Sequence, residues 1–304
     1  MKVFTILFCL VALGLSASCG KDNVVDNNED YTPSIGGFDE NGASNALFSV
    51  SENKQVRFSR GNLQYQASTD TWRFAEQQYS FAGVSNEGIA DDWYDWIDLF
   101  GWGTSGWNSG ATCYQPWSKI EGNDYYNPGG SLETDLTGDY AEADWAWHNP
   151  IVNGGNKIHF WRTMTYEEWK YLLEDRPDAE KKRGNAIVSN SYGLVILPDE
   201  WRIPNDVSFS PTPDPRENEY SMETWQKMED AGAIFLPGAG VRSGGLISGF
   251  NSGDFTWRYG AYWTVCHVID NDNNYVYHVT TQSKGRISWG PRWYGYSVRP
   301  VQDI

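Results

Sequence analysis

The chain has too little positive charge for one large class of functions. It carries 23 Lys and Arg residues against 40 Asp and Glu residues, which gives a formal net charge of −17. Binding to DNA or RNA requires a basic surface that neutralises phosphates and releases counterions. We therefore expect no nucleic-acid partner, and no protein surface that binds anionic lipid headgroups. Acidity of this kind mainly keeps a protein soluble.

The apolar run near the N-terminus is too short to span a bilayer as a stable helix. This run, Val3–Leu15, follows a short basic start and precedes the small residues Ser16-Ala17-Ser18. That order is typical of a secretory signal peptide. The next residue is a cysteine, which resembles a bacterial lipobox, where the cysteine is acylated and becomes the mature N-terminus. We predict a lipoprotein signal peptide over 1–18 and lipid attachment at Cys19, with an ordinary cleaved signal as the alternative.

Cysteine is scarce, and the four cysteines fall into different parts of the chain. Cys9 leaves with the predicted signal peptide, and Cys19 is the predicted lipid site. Cys113 and Cys266 remain, and in an exported protein they could form a disulfide. Their separation in space cannot be judged from sequence. Two free thiols therefore stay open as the alternative.

The common sequence signatures of catalysis are lacking. There is no His-Glu-x-x-His zinc motif, and Gly103-Thr-Ser-Gly106 is followed by Trp107, so it fails the Gly-x-Ser-x-Gly nucleophile elbow. Glu167 and Glu168 are adjacent on a predicted helix and point in different directions, so they do not form an acid–base pair. We expect no catalytic residue, no metal and no other cofactor. A glycan hydrolase, which needs two facing carboxylates, remains an alternative.

A polar segment follows the predicted signal peptide. Gly20–Asn45 is rich in Asp, Glu, Asn and Gly and has few large apolar residues, a composition that cannot bury enough surface to fold. We predict a flexible acidic tether over 19–45 and a single domain over 46–304. An acidic stretch behind a lipidated cysteine resembles the export signal of Bacteroidota outer-membrane lipoproteins. We therefore expect a monomer in the outer membrane that is held only by its lipid and faces the cell exterior.

Aromatic residues are abundant and make up 15% of the chain, including 16 Trp. Together with 31 Gly, they indicate many short strands and ordered loops. Alternating residues from Phe48 to Phe74 predict a β-meander with turns at 61–62 and 68–70. The segment 91–110 is interpreted as a short helix with a solvated acidic face, with a metal site as the alternative. The segment 101–130 is predicted to be a long loop held by Trp residues.

Two units of a helix followed by a strand come next in the chain. The segment Thr165–Leu173 begins with a Thr-x-x-Glu capping box and carries an apolar stripe, which predicts a helix. Gly193–Pro198 then predicts a buried strand. Ser221–Ala231 and Ala233–Pro237 repeat the same order. Two helices beside a largely antiparallel sheet define an α+β fold.

The region from Gly260 to Val301 is predicted to carry the binding surface. Tyr262–Val268 and Tyr275–Thr281 are rich in β-branched and aromatic residues, and the polar residues 270–274 lie between them. This pattern predicts a β-hairpin. The run Gly295–Val301 predicts a structural closing strand that ends at Pro300 or lies on a sheet edge, because proline cannot donate to a ladder.

The hairpin turn has a partial likeness to a calcium loop. Asp270, Asp272 and Asn274 match the first three ligand positions of an EF-hand. Tyr275 stands where that loop needs Gly, and Thr281 stands where it needs a bidentate Glu. We therefore interpret the segment as a turn. Calcium binding stays an unsupported alternative.

Aromatic and polar residues around this hairpin suit a sugar. Aromatic rings stack on the apolar face of a sugar, and Asn, Asp and His fix its hydroxyls. The alternative is that the Trp residues are core and the His residues are ordinary surface. We predict that the region binds a glycan or a surface protein. The candidate residues are Trp257, His267, Asp270, Asp272, Asn273, Asn274, His278, Trp289 and Trp293.

Four stretches together resemble a known family. They are Trp161–Trp169, Ile196–Trp201, Tyr262-Trp-Thr and Gly295–Arg299. They look like the marker stretches of a paralogous domain common in Bacteroidota and Fibrobacter surface lipoproteins, which is similar to the formylglycine-generating-enzyme branch of the C-type lectin-like fold. The likeness spans roughly residues 48–301. It implies a compact α+β domain whose terminal strands lie close together.

The resemblance also implies where the ligand surface lies. Some members of this fold are diversified by retroelements in a C-terminal stretch ahead of a fixed closing strand, and residues 262–299 resemble that arrangement. Copper-dependent members use a pair of C-terminal cysteines, whereas only Cys266 lies in the matching region here. Iron-dependent relatives need a His-rich site, and the four His residues show no such motif. The lectin calcium site is not recognisable either.

We therefore expect a non-catalytic, surface-anchored binding lipoprotein. The alternatives are an enzyme on the same scaffold, either a glycan hydrolase or a metal-dependent oxidase, and a structural adhesin component.

Overall fold

A computed structural model of the chain describes residues 36–108, 111–122, 125–250, 258–268 and 274–304. The predicted signal peptide, Cys19 and most of the predicted tether lie outside these residues. The described strands are β1 (Phe48–Ser51), β2 (Lys54–Phe58), β3 (Leu63–Gln66), β4 (Thr71–Phe74), β5 (Arg183–Val188), β6 (Ser191–Ile196), β7 (Glu219–Tyr220), β8 (Ile234–Pro237), β9 (Val241–Ser243), β10 (Leu246–Ser248), β11 (Ala261–His267), β12 (Val276–Thr280), β13 (Arg286–Gly290) and β14 (Val301–Asp303).

The helices are short. They are α1 (Trp145–His148), α2 (Tyr166–Lys170), which continues as a π-helical turn over Tyr171–Asp175, and α3 (Met222–Asp230). Among the described residues, none of the helices has the length and apolar character that a membrane crossing requires. Single 3₁₀ turns lie in the loops, at Ala67–Thr69, Gly83–Glu87, Thr112–Tyr114, Pro128–Gly130, Gly138–Ala143, Ala179–Lys181, Pro215–Asn218 and Gln282–Lys284.

The strands form small, mainly antiparallel sheets. The largest has the order β7-β5-β6-β8, and two three-stranded sheets have the orders β1-β2-β14 and β11-β12-β13. The pairs β3–β4 and β9–β10 are separate hairpins. Among the named strands, β5 and β7 pair in parallel, and the remaining pairs are antiparallel. Few helices beside small antiparallel sheets confirm the predicted α+β class.

Strands from opposite ends of the domain lie side by side. β14 pairs with β2 in the register Val301↔Phe58, as the resemblance implied. The prediction of a closing strand over Gly295–Val301 was wrong in its position, since the regular strand begins at Val301. Pro300 has no N–H to donate, so regular pairing starts only after it. The residues before Pro300 form isolated bridges instead, such as Tyr262↔Ser297.

The predicted helix–strand units are confirmed. Thr165 Oγ1 accepts a hydrogen bond from the Glu168 backbone N–H at 3.1 Å, and Glu168 Oε2 accepts one from the Thr165 N–H at 3.0 Å. This is the expected capping box. Ser221 caps α3 by accepting from the Thr224 N–H at 3.1 Å. The strands after the two helices, β6 and β8, pair with each other.

The predicted acidic helix within 91–110 is not formed. Residues 91–100 have no helical turn, and Asp98 is fully buried rather than solvated. Its carboxylate accepts hydrogen bonds from the Ala82 N–H at 2.7 Å and the Asn86 amide at 2.9 Å. Burial raises the pKa of Asp98 to about 6. The residue therefore ties two loops together from inside the domain.

The N-terminal meander is instead two separate hairpins. β2 pairs with β1 and β14 rather than with β3. Asn62, at the predicted turn between them, is buried and donates to the Tyr262 hydroxyl at 3.0 Å. The side-chain amide thus links this turn to the C-terminal sheet, which local alternation could not indicate.

The domain also begins earlier than predicted. Residues 36–45, assigned to the tether, pack against the folded domain, where Ala43 and Ser44 are buried. Arg57 donates to the backbone carbonyls of both, at 3.2 Å and 2.5 Å. An arginine of β2 therefore holds this segment in place despite its polar composition.

Buried arginines hold the long loops. Arg292 is fully buried and donates to the carbonyls of Asn274 at 2.9 Å, Tyr126 at 3.1 Å and Leu132. Its guanidinium lies 4.4 Å from the ring centre of Trp102, a cation–π contact. The loop predicted over 101–130, which has no strand in its described part, is thereby tied to the C-terminal sheet.

Candidate functional site

The site is built on the C-terminal sheet of β11, β12 and β13. The predicted hairpin is confirmed, since β11 and β12 pair in the register Tyr262↔Val279 and Trp263↔His278. The third strand, β13, was not predicted. It pairs with β12 and places Trp289 directly opposite Tyr277.

One face of this sheet is buried in the core. Trp263 and His278 lie on it, with 1% and 7% of their surface exposed. The His278 ring packs 4.7 Å from Tyr296 and 6.3 Å from Trp263 between ring centres. Its Nδ1 has no hydrogen-bond partner among the described residues, and burial lowers its pKa to about 4. The prediction of His278 as a ligand-binding residue is therefore wrong, because its side chain belongs to the core.

The other face is covered at one end and open at the other. Tyr262 and Val279 lie on it and are buried in the same cluster as Trp169 of α2. Tyr277 lies two residues before Val279 in β12, so its side chain is on the same face, and it is half-buried. The open end of this face begins there.

A row of stacked aromatic rings occupies the open end, and we call it the aromatic strip. It consists of Tyr166 at the start of α2, Tyr275 just before β12, Tyr277 within β12, and Trp289 of β13. Tyr166 and Tyr277 have ring centres 4.2 Å apart and planes at 31°, and Tyr275 and Trp289 are 5.1 Å apart and at 26°. Tyr277 and Trp289 are cross-strand neighbours, so the two stacked pairs adjoin. Trp289 is 52% exposed.

Polar groups lie at the end of β11. His267 Nδ1 is 2.6 Å from Asp135 Oδ1, which also accepts from the His267 backbone N–H at 2.8 Å. The carboxylate of this loop residue therefore fixes the orientation of a part-buried imidazole. The neighbouring Cys266 has a pKa raised to about 12, first by burial and further by nearby carboxylates such as Asp135 and Glu167. This edge of the sheet is thus acidic.

Of the remaining predicted site residues, two are described but are not members of the aromatic strip, and four lie outside the described residues. Asn274 has a left-handed backbone with φ of 55°, and its carbonyl accepts the hydrogen bond from Arg292. Trp293 is half-buried and packs edge-on against Tyr294, with ring centres 4.6 Å apart. It is therefore not part of the aromatic strip. Four predicted residues lie outside the described residues, namely Trp257, Asp270, Asp272 and Asn273.

Three members of the strip were not singled out from the sequence. Tyr275 and Tyr277 are two positions apart in a predicted strand, which places both side chains on one face. That signal was available in the sequence. Tyr166 belongs to a helix about a hundred residues earlier in the chain, so its position beside Tyr277 depends on how α2 packs against the sheet.

The two cysteines of the domain are both free thiols, so the disulfide alternative is not formed. Cys266 Sγ accepts from the Tyr166 backbone N–H at 3.5 Å, beside the aromatic strip. Cys113 lies in the 3₁₀ turn of the long loop, next to Tyr114. Burial raises the pKa of both thiols. Neither thiol is activated as a nucleophile, because activation requires a lowered pKa.

Two histidines outside the sheet share one carboxylate. Glu142 accepts from His148 Nδ1 at 2.8 Å and from His159 Nε2 at 2.9 Å, and these contacts lower the pKa of its carboxyl. The described residues contain no group of three or more His, Cys, Asp or Glu side chains arranged to hold a metal ion. The two hydrogen bonds link the 3₁₀ turn that holds Glu142 to the end of α1 and to the loop that carries His159.

Comparisons with protein-family models, curated proteins and solved structures found no match to this chain. The family resemblance described above therefore stays a prediction.

Proposed function

We propose that this chain is a non-catalytic binding protein that takes a glycan on the aromatic strip. The observation that carries the proposal is the pair of adjoining ring stacks at the open end of the C-terminal sheet, with Trp289 half exposed at its edge. Flat aromatic rings present π-faces on which the apolar face of a sugar stacks. The rings are held by cross-strand pairing and by α2, so binding orders few side chains.

A polar group close to the strip is Glu167. Burial raises the pKa of Tyr277, and the Glu167 carboxylate contributes to the same shift. The His267–Asp135 pair is set before any ligand arrives but faces the other side of the sheet, because His267 is opposite the buried Val276. A few well-placed polar groups beside aromatic surface are typical of small-ligand sites. The acidic edge formed with Glu167 favours a neutral or cationic glycan over an anionic one.

The wider setting of the proposal comes from the sequence. A lipid on Cys19 would anchor the protein in the outer membrane with its domain facing the exterior, as a monomer that needs no cofactor. The finer fold is proposed to be C-type lectin-like. The antiparallel pairing of β14 with β2, which brings the terminal strands together, supports this likeness. The proposal does not require residues 269–273, which lie outside the described residues.

The test is binding of the chain from Gly20 onward to an array of glycans and cell-envelope proteins. Trp289→Ala should weaken glycan binding by at least about 30-fold, since a central aromatic contact is worth about 2 kcal/mol or more. Tyr94→Ala is the matched control, because Tyr94 is 72% exposed and lies outside the strip. Binding only to an envelope protein, lost in Trp289→Ala, would replace the glycan by a protein partner as in an adhesin component. Equal binding by both variants would refute the strip as the site.

A further inference from the structure

A second pocket lies away from the aromatic strip, beside the β3–β4 hairpin. It has a volume of about 340 Å³. This is near the lower end of the range for small-molecule sites. Its wall is formed by Gln64 of β3, Arg73 of β4 and the loop residues Glu76, Ser85, Asp95 and Trp96. None of these residues belongs to the strip.

The central feature of the pocket is an arginine with unused donors. The Arg73 guanidinium lies 3.8 Å from the ring centre of Trp96, and its Nε donates to Gln64 Oε1 at 3.0 Å. The nearest carboxylate oxygen, on Glu76, is 3.6 Å from a terminal nitrogen, beyond hydrogen-bond distance. Within the described ranges, the terminal N–H groups of Arg73 therefore have no hydrogen-bond acceptor.

A comparable arginine elsewhere shows the contrast. Arg162 lines a pocket of about 240 Å³ beside Trp147. Its Nε and terminal nitrogens donate to the carboxylates of Glu168 and Asp303 at 2.6–3.0 Å. Arg162 thus has its donors committed to the fold, whereas those of Arg73 are available to a ligand.

A buried network sets the position of Arg73. Gln64 is 5% exposed, and its Oε1 accepts a hydrogen bond from Arg73 Nε at 3.0 Å. The Gln64 amide also lies near the buried carboxylate of Asp98, whose ionised form it favours. Asp98 is held in turn by Ala82 and Asn86. The guanidinium is therefore oriented before a ligand enters, which is how functional sites are commonly supported.

The charges in the pocket select the ligand class. Arg73 contributes one positive charge, and Glu76 and Asp95 contribute two negative charges, so an anion meets net repulsion. Arg73 supplies donors and Glu76, 76% exposed, supplies acceptors close to them. Neighbouring hydroxyls, which both donate and accept, satisfy the two at once. We propose that this pocket binds a neutral, hydroxyl-rich ring, such as one sugar residue, independently of the aromatic strip.

The experiment is an NMR titration of the chain from Gly20 onward with neutral methyl glycosides of glucose, galactose, mannose and xylose, and with glucuronic acid as the anionic probe. At least one methyl glycoside should shift the Arg73 Nε–H resonance and bind more tightly than glucuronic acid. Arg73→Gln should weaken that binding about 10-fold or more, because bonds from a charged donor are lost. Arg202→Gln is the matched control, since Arg202 is exposed and far from the pocket in sequence.

The remaining outcomes decide the matter in either direction. Trp96→Leu, which removes the surface under Arg73, should weaken binding as well and serves if Arg73→Gln fails to fold by circular dichroism. The proposal is overturned if no methyl glycoside shifts the resonance, if glucuronic acid binds more tightly, or if Arg73→Gln binds like Arg202→Gln. Because the strip residues are untouched in these variants, failure here leaves the aromatic strip as it stands.

Discussion

Two tryptophans of the C-terminal sheet lie on opposite faces and serve different ends. Trp263 of β11 is opposite His278 of β12, whereas Trp289 of β13 is opposite Tyr277, one residue away along the same strand. Trp263 is 1% exposed and donates its indole N–H to the Phe100 carbonyl at 2.6 Å, whereas Trp289 is 52% exposed. One step along a strand turns a side chain to the other face. The register therefore decides which tryptophan builds the core and which can meet a ligand.

The largest expected change in stability follows from removing the buried tryptophan, Trp263. Trp263→Ala should lower the free energy of unfolding by about 3–5 kcal/mol, because it leaves a cavity between β11 and Tyr296. It also leaves the Phe100 carbonyl without its partner. Urea denaturation followed by circular dichroism measures the change. A loss no larger than that of Trp289→Ala would contradict the assignment of the two faces.

An intermediate effect is expected from the histidine opposite Trp263. The unfolded His278 takes up a proton near pH 6.5, whereas the folded one resists it until about pH 4. Stability that is present above pH 6.5 is therefore lost as the pH falls towards 4, by roughly 3 kcal/mol at about 1.4 kcal/mol per pKa unit. His278→Leu should remove this part of the acid sensitivity. Unfolding free energies at several pH values between 7 and 4 test it.

The pH dependence of the unfolding free energy of the wild-type protein does not by itself isolate the contribution of His278. Asp98 has a raised pKa, so its folded form binds more protons than the unfolded form between pH 4 and 6, and it favours folding as the pH falls. Its sign is opposite to that of His278. The informative quantity is therefore the difference between wild type and His278→Leu at each pH. A difference that does not change between pH 7 and 4 would contradict burial of the imidazole.

The smallest expected effect is on stability at the open side. Trp289→Ala removes an exposed ring and its stack on Tyr275, so the free energy of unfolding should change by about 1 kcal/mol or less. The same denaturation measurement serves both tryptophan variants. A loss of several kcal/mol would mean that Trp289 is structural and would weaken its proposed role in binding.

The sequence predicted the parts of the fold that local patterns control. The capping box of Thr165 and Glu168, the cap at Ser221 and the β11–β12 hairpin are each encoded within a few residues. These were confirmed. The helix predicted around Asp98 was wrong. The spacing of the residues there fits a helix, but the Asp98 carboxylate instead accepts a hydrogen bond from the distant backbone N–H of Ala82. A long-range hydrogen bond of this kind leaves no local pattern.

The sequence predicted the region of the candidate site but not most of the residues that form it. Trp289 was expected at the surface and is there, whereas His278, one position past the half-buried Tyr277 and so on the other face of β12, is in the core. Strand alternation alone leaves two possible faces, and the choice depends on what packs against each. Here α2 covers one face in part and brings Tyr166 to the strip. That packing could not be derived from the hairpin sequence.

The pairing of β14 with β2 has a consequence for the timing of folding. These strands come from opposite ends of the domain, so their sheet cannot be completed before β14 is synthesised. Bringing such distant segments together carries a large loop-closure entropy and is typical of slow folding. During translation, the edge of β2 that pairs with β14 stays unpaired until β14 is synthesised. The sheet of β1, β2 and β14 is therefore completed only after β14 has emerged from the ribosome.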